Sequence, residues 1–317
     1  MNRFISSRRV FVLILIFYKT NNYGFCIIFI HLPKDKKYLE EIYTINDIEF
    51  LISTQNRNSL DFLESIFPNG YLLNNLLIVN QTTKDNILIS NDEGVRVVNS
   101  FEIGVAKSRN IALENAKKKL LVFTDDDVNY LTTTKETILK AYNLFHNADA
   151  ILFQIQKNDT VLFKKYPKNI QNPISIFTIL NCGTIEITLK NPNLSIQKAK
   201  FNEWFGLNSF FDLGDEPLFL MEMKRDEKKL IFYNETIVTH SDKSTADKII
   251  LSKKYYNLGA FYKRIFPDLY FVWLVLKITF DLKQKKIKLK NLVTVVRNAK
   301  HGIRKLNSLE KEKNNLL

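Results

Sequence analysis

The chain has 317 residues, 45% of them hydrophobic and 25% charged, which suits one or two globular domains rather than a disordered or fibrous protein. Its two cysteines, Cys26 and Cys182, lie far apart with no His or Cys at metal-ligand spacing, so a disulfide scaffold and a zinc site are set aside and a reducing compartment fits. The net charge of +13 is uneven: residues 251–317 hold 16 Lys+Arg against 4 Asp+Glu, and residues 1–250 hold 30 against 29, so a nearly neutral body carries a basic tail.

At the N-terminus, Arg8 and Arg9 precede an apolar run from Val10 to Tyr18 that is similar to the start of a signal peptide. The run is shorter than the roughly 20 apolar residues a bilayer span takes, and no small-x-small cleavage site follows it. It reads as a membrane anchor, as an added strand or helix, or as an upstream start, and residues 1–44 are set apart from the domain.

The body, 45–250, opens with the strand-like "IEFLISTQNR", Ile48 to Arg57. A helical stretch, "SLDFLESIF", leads to a second apolar strand, "NNLLIVNQT", which stops at Asn80, Gln81 and Thr82. "GVRVVNS" is a third strand and "GVAKSRNIALENAKKK" a helix. "LLVFT", Leu120 to Thr124, is a fourth strand, closed by Asp125, Asp126 and Asp127. Strands alternating with helices, each an unbroken apolar run, indicate a mostly parallel α/β sheet buried on both faces. Ligands of such sheets bind beyond the carboxyl ends of the strands, where Asn80, Gln81 and the aspartates sit.

After the aspartates, Thr133 and Glu136 have the spacing of a capping box ahead of a helix carrying Ile138, Leu139, Tyr142 and Phe145. "DAILFQIQ" is a strand, and "ISIFTILNCGTIEITL" is the one strong β signal between Lys157 and Lys200. "EPLFLMEMKRDEKK" reads as a helix and "LIFYNETIVTH" as the last strand of the body. In the tail, 251–317, Leu289, Leu292, Val293, Val296 and Ile303 recur at helical steps beside a cationic face. Tyr270, Phe271 and Trp273 add residue types favoured at membrane interfaces. The tail reads either as a helix on an anionic membrane surface or as helices packed on the body with a solvated basic face. No nucleic-acid-binding motif accompanies the charge, and no nucleic-acid partner is expected.

Three adjacent aspartates repel one another, and a buried strand gains nothing from ending in them. Hard oxygen ligands in a loop suit Mg²⁺ or Mn²⁺, which bridges carboxylates to substrate phosphates and stabilises a leaving diphosphate. A solvated acidic turn or a helix cap is the plainer alternative.

The order of "LISTQNR", "LLIVNQT", "GVAKSRNIALENA" and "LLVFTDDDV", followed by "FNEWFGLNSFFDLGDEPLFL", resembles the family 2 glycosyltransferases with the glycosyltransferase-A (GT-A) fold. The likeness runs from about Ile48 to Asp242. It implies a nucleotide-sugar donor, with Thr54, Arg57, Asn80 and Gln81 beside the nucleoside and Arg109 and Asn110 supporting the donor pocket, as do Asp125 and Asp126. Relatives carry Asp where this chain has the amide turn at Asn80 and Gln81, which leaves the base open, with uracil first. For the metal, Mn²⁺ or Mg²⁺, the motif implies Asp127, with Asp126 as the other alignment, Asp125 beside them and His240 near the site. The general base that takes the acceptor proton in an inverting transfer would be Glu216, with Asp215 as neighbour or alternative. Trp204 and Phe205 would line a glycan or lipid-linked acceptor. The resemblance and the tail together imply surface-polysaccharide synthesis in bacteria, in the cytoplasm or on the inner face of the plasma membrane. A phosphatase of the haloacid-dehalogenase type, a nucleotidyltransferase and an inactive membrane scaffold are the rival readings.

Overall fold

In the computed structural model the first strand, β1 (Ile48–Gln55), is buried along nearly its whole length. Its side chains alternate between two apolar layers. Leu51 enters one layer with Leu77, Val79, Leu121 and Phe123, while Phe50 and Ile52 enter the other with Leu76, Ile78, Leu120 and Val122. A strand throws successive side chains to opposite faces; covering both faces turns the whole segment apolar, which is why it reads as an unbroken run. The structure describes residues 43–191, 200–240 and 251–315. Of the N-terminal extension only Tyr43 and Thr44 are included, and Cys26 lies outside the described residues.

Eight further strands complete the sheet: β2 (Asn75–Gln81), β3 (Val95–Ser100), β4 (Leu120–Asp125), β5 (Val128–Tyr130), β6 (Ala150–Asn158), β7 (Val161–Leu162), β8 (Ile187–Lys190) and β9 (Leu230–His240). Their order is β3-β2-β1-β4-β8-β6-β9-β5, with β7 against β6. The first four are parallel neighbours, β8 runs antiparallel between β4 and β6, and β9 is parallel to β6. Adding β5 and β7, which run antiparallel to their partners, six strands share one direction and three oppose it. The mostly parallel α/β sheet expected from the sequence is present.

Helices α1 (Phe62–Ile66) and α3 (Thr134–Leu144) cover the face that holds Phe50. The other face is covered by α2 (Val105–Asn115), α4 (Ile176–Leu180), α5 (Asp215–Arg225), α6 (Leu251–Ile265), α7 (Tyr270–Lys283) and α8 (Leu292–Asn314). The basic tail is thereby built into the core of the body. Helices α6 and α8 cross backbone to backbone: a Cβ on Gly259 would lie 2.2 Å from the Ala299 carbonyl oxygen, and one on Gly302 would lie 1.9 Å from that of Tyr256. The fully buried Asp281 of α7 accepts from Tyr255 Oη at 2.9 Å and Lys277 Nζ at 2.7 Å. Among the described residues no helix is long and apolar enough to cross a membrane.

Two local expectations give way, and one strand is not foreseen. The β signal at 174–189 splits into α4, a 3₁₀ turn (Thr184–Glu186) and β8. Ser175 starts α4 by accepting from Thr178 N at 3.1 Å, so a side-chain cap overrides the β-branched composition. Thr133 precedes α3 as expected, yet it makes no cap, and the hydroxyl of its neighbour Thr134 donates to the Ile237 carbonyl of β9 instead. Finally, β5 follows the aspartates directly and pairs with the end of β9, which brings His240 back to the triplet.

Candidate active site

The parallel register sets the floor of the site. Ser53 pairs with Asp125, Thr54 with Asn80, and Gln81 with Ser100, so β1, β2, β3 and β4 end at one level and deliver their polar termini to one edge. There the three aspartates diverge, each toward a different basic partner. Asp125 Oδ1 lies 3.6 Å from Arg109 Nη2, Asp126 Oδ2 accepts from Arg57 Nη2 at 2.8 Å, and Asp127 Oδ1 lies 3.3 Å from His240 Nε2. The chain itself therefore relieves the repulsion that makes the triplet conspicuous. Thr54 joins the second pair: its hydroxyl donates to Asp126, and Arg57 Nε lies 3.2 Å from it. Contact with His240 holds Asp127 below the usual carboxylate range.

Arg109 ties the triplet to the second acidic motif. Its guanidinium, only 5% exposed, reaches Asp125, Asp215 and, at 3.2 Å, Glu216 Oε1, and it stands over the Phe201 ring at 5.6 Å. Asp215 and Glu216 open α5 after Gly214, whose φ of +93° suits glycine. Gly206, with φ of +100°, packs against this pair: a Cβ there would lie 2.9 Å from Asp215 Cγ and 2.7 Å from Val105. Two buried carboxylates facing one arginine cannot both ionise freely. Burial and the charge of Glu216 push Asp215 up to about 8, against the pull of Arg109. Burial also works to raise Glu216, but Arg109 and a hydrogen bond from the Thr184 hydroxyl outweigh it and hold Glu216 below its ordinary value. The two carboxyls thus differ: Asp215 holds its proton more tightly than a free aspartate, and Glu216 holds its proton less tightly than a free glutamate.

Other residues singled out from the sequence support backbone. Asn80 is fully buried; its Oδ1 accepts from Arg57 N at 3.0 Å, and its Nδ2 donates to Arg57 O at 2.9 Å and to Asn99 Oδ1 at 3.1 Å. Gln81 clamps Gly104 in the same way, through Gly104 N at 2.9 Å and Gly104 O at 3.2 Å. Asn110 holds the loop before Trp204 by bonds to both backbone groups of Phe201 and to Glu203. Phe205 is fully buried against Phe211 and belongs to the core, so it presents no face to an acceptor. Trp204 lines a groove of about 990 Å³ with Glu203, Arg264 and Lys313. That groove is not lined by the triplet or by Glu216.

Two solved structures share this architecture over most of their length. TarS 1-349 of S. aureus superposes with a TM-score of 0.54 over 81% of this chain and 80% of that one, at 14% identity. The same protein in complex with UDP-GlcNAc superposes with a TM-score of 0.53 over 79% of each chain, at 12% identity. No family model matches the chain, and no curated protein matches it in sequence. At such identities the likeness is one of fold. The chain has the GT-A fold.

Within the GT-A frame the acids at the strand ends can be tested against a metal. Asp125 and Asp126 are engaged by arginines, whereas the Asp127 side chain is 62% exposed and has an imidazole beside it. Among the described residues no three His, Cys, Asp or Glu side chains converge to enclose an ion. The Asp127 carboxylate is a hard oxygen ligand suited to Mn²⁺ or Mg²⁺, which keeps waters and takes phosphate oxygens for its remaining positions, whereas the His240 imidazole fits a transition ion such as Mn²⁺ and not Mg²⁺. The residues fit such an ion as a half-site that a diphosphate would complete. Thr184 is the site residue that sequence reading passes over. It stands in a segment that reads as strand, and only the tertiary approach of the 3₁₀ turn to α5 brings it to Glu216.

Proposed function

We propose that the protein is an inverting, metal-dependent glycosyltransferase that moves a sugar from a nucleoside-diphosphate donor, a UDP-sugar, to a hydroxyl of a glycan or lipid-linked acceptor. The observation that carries this reading is the Arg109 bridge, which joins an acidic strand end suited to a diphosphate with a buried carboxylate pair suited to proton transfer. The bound ligand of the TarS complex, UDP-GlcNAc, supports the choice of donor class.

Glu216, ionised and partly reachable, takes the proton of the acceptor hydroxyl as that oxygen attacks the anomeric carbon and the bond to the diphosphate oxygen breaks. Burial and the charge of Glu216 favour the protonated form of Asp215, which works against the pair carrying two charges before the acceptor arrives. Arg109 orients both carboxyls and offsets the charge on Glu216. Arg57, with its side chain 39% exposed, offers a cation to the donor phosphates while it holds Asp126. Asp127 and His240 would hold the divalent ion, which supplies a Lewis acid for the charge on the departing diphosphate. The setting that follows is surface-glycan assembly at the cytoplasmic membrane face, where nucleotide-sugars are available.

Calorimetric titration of the full chain with UDP, GDP and UMP, with Mn²⁺ and with chelator, tests the reading. The expected result is metal-dependent UDP binding that is lost in Asp127→Ala and weakened in His240→Ala. Absence of diphosphate binding under every metal condition, in protein shown to be folded, would overturn it.

A further inference from the structure

Helix α7 is apolar on both sides. The side it turns to the core carries Leu274 and Ile278 and, three residues on, the carboxylate of Asp281. The side it turns to solvent carries Phe271 (66% exposed), Val272, Val275, Leu276 (56% exposed) and Phe280, at three- and four-residue steps. A surface helix ordinarily turns a polar side to solvent, and a contiguous exposed apolar stripe marks an interaction site. Phe177 of α4, also exposed, widens the stripe through its contact with Trp273 at 6.0 Å, and Trp273 is stacked on Phe266 at 4.6 Å.

The apolar stripe is bordered by charge of one sign. The turn after α7 exposes Lys283, Lys285, Lys286, Lys288 and Lys290 around an outward Leu289. The first turns of α8 continue it: Val293 and Val296 lie with Arg297, Lys300 and Arg304 along one groove of about 480 Å³. From Leu269 to Leu309 the sequence contains a single acid, Asp281, and that acid is buried. Within that stretch no exposed carboxylate competes for these cations; Asp268 and Glu310 flank it. At 14 residues α7 is about 21 Å long, too short to cross a bilayer but long enough to lie in its surface.

We infer that α7, the lysine turn after it and the start of α8 form a docking surface for an anionic phospholipid membrane. The aromatic and aliphatic stripe enters the headgroup–acyl boundary, and the lysines and arginines meet the lipid phosphates. Charge complementarity selects this occupant. A second copy of the chain would bring the same cations face to face across a self-complementary contact, and a soluble partner would have to supply an acidic rim around an apolar stripe. The inference does not depend on the transferase reading, since it concerns a different face and a different ligand chemistry.

Vesicle flotation of the full chain tests it, with phosphatidylcholine vesicles compared with vesicles containing phosphatidylglycerol at about 30 mol%, a composition that sets up the negative surface potential concerned. The wild type should float with the anionic vesicles, at least tenfold more strongly than with neutral ones, and salt should weaken the binding. Two surface variants keep the fold intact because every altered side chain is exposed. Leu276→Glu with Phe280→Glu should lower binding to anionic vesicles by at least about tenfold, since each buried apolar side chain contributes on the order of that factor. Lys285→Gln, Lys286→Gln, Lys288→Gln and Lys290→Gln together should remove the preference for anionic vesicles. Full binding in both variants would assign any membrane attachment to another segment and overturn the proposal. So would failure of the wild type to float, or a concentration-dependent dimer that Leu276→Glu dissociates while vesicle binding is absent.

Discussion

Thr184→Val removes one hydroxyl from beside the base and leaves the shape of the side chain almost unchanged. In the wild type that hydroxyl donates to Glu216 Oε1, which favours the ionised carboxylate. A hydrogen bond to a charged group contributes about 1.5–3 kcal/mol. Arg109 Nη1 stays at 3.2 Å from the same oxygen, and the Glu216 side chain is 18% exposed so that water can replace part of the lost bond, and roughly half of that contribution survives in the variant. The remaining loss of about 1–1.5 kcal/mol corresponds to about one pH unit. Only ionised Glu216 can accept the proton, so the acid limb of the kcat/KM profile should move up by about one unit. Above the limb, the rate should stay within a few-fold of wild type. Initial-rate assays of UDP release across pH would measure this. An unmoved acid limb, with or without a lower plateau, would refute the assignment of Glu216 as the base.

Asp215 gives a stability prediction of definite sign. Between the ordinary aspartate value near 4 and its folded value of about 8, the folded protein holds a proton that the unfolded chain has released, so this group's contribution to stability falls as pH rises through that window. Asp215→Asn cannot titrate, and its stability relative to wild type in urea unfolding should rise from pH 5 to pH 8 by at most about 1.4 kcal/mol per pH unit and level off above it. Gly206→Ala and Gly70→Ala share a backbone φ near +100° but not their surroundings, because nothing lies within 4 Å of a Cβ at Gly70. Gly70→Ala should cost about 1–2 kcal/mol and leave activity intact; Gly206→Ala should cost about 1–3 kcal/mol more by thermal unfolding and displace Asp215 enough to abolish turnover. His240→Ala should raise the Mn²⁺ concentration needed for half-maximal UDP binding at least tenfold, read by calorimetry, with binding in chelator unchanged. Asn80→Ala leaves the Arg57 peptide without its partners and should cost about 2–4 kcal/mol of stability while the UDP-to-GDP affinity ratio stays the same.

The parallel half of the fold was legible because burial on both faces makes β1, β2 and β4 largely apolar, and turn residues mark their ends. Ile48, Asn75, Val95 and Leu120 accordingly begin strands where the composition indicates. The acidic motifs were legible for a related reason: charges placed directly after buried strands need partners. What those partners are was not legible. Nothing local shows that Asp125, Asp126 and Asp127 turn to Arg109, Arg57 and His240, since the partners come from three other elements. Nor does composition reveal that Asn80 and Gln81 clamp backbone, because a free amide and a satisfied one look alike in sequence. Ser175 turned a β-branched run into a helix, and Phe205, read as an acceptor surface, fills the core. At Ser175 a local cap outweighed the β-branched composition; in the other cases a tertiary contact outweighed the local signal.

The close approach at Gly214 bears on how separable the parts of this protein are. A Cβ there would stand 2.4 Å from the Phe261 ring, so the turn that aims Asp215 and Glu216 rests against α6. Helix α6 in turn meets α8 backbone to backbone at Gly259 and Gly302. The C-terminal helices are thus the wall behind the turn that carries Asp215 and Glu216. Grafting this tail onto another body, or replacing it with a foreign segment, would disturb that turn. Substitutions on the outward side of α7 leave that turn alone, while drift in the α6–α8 seam is constrained by the packing that supports it.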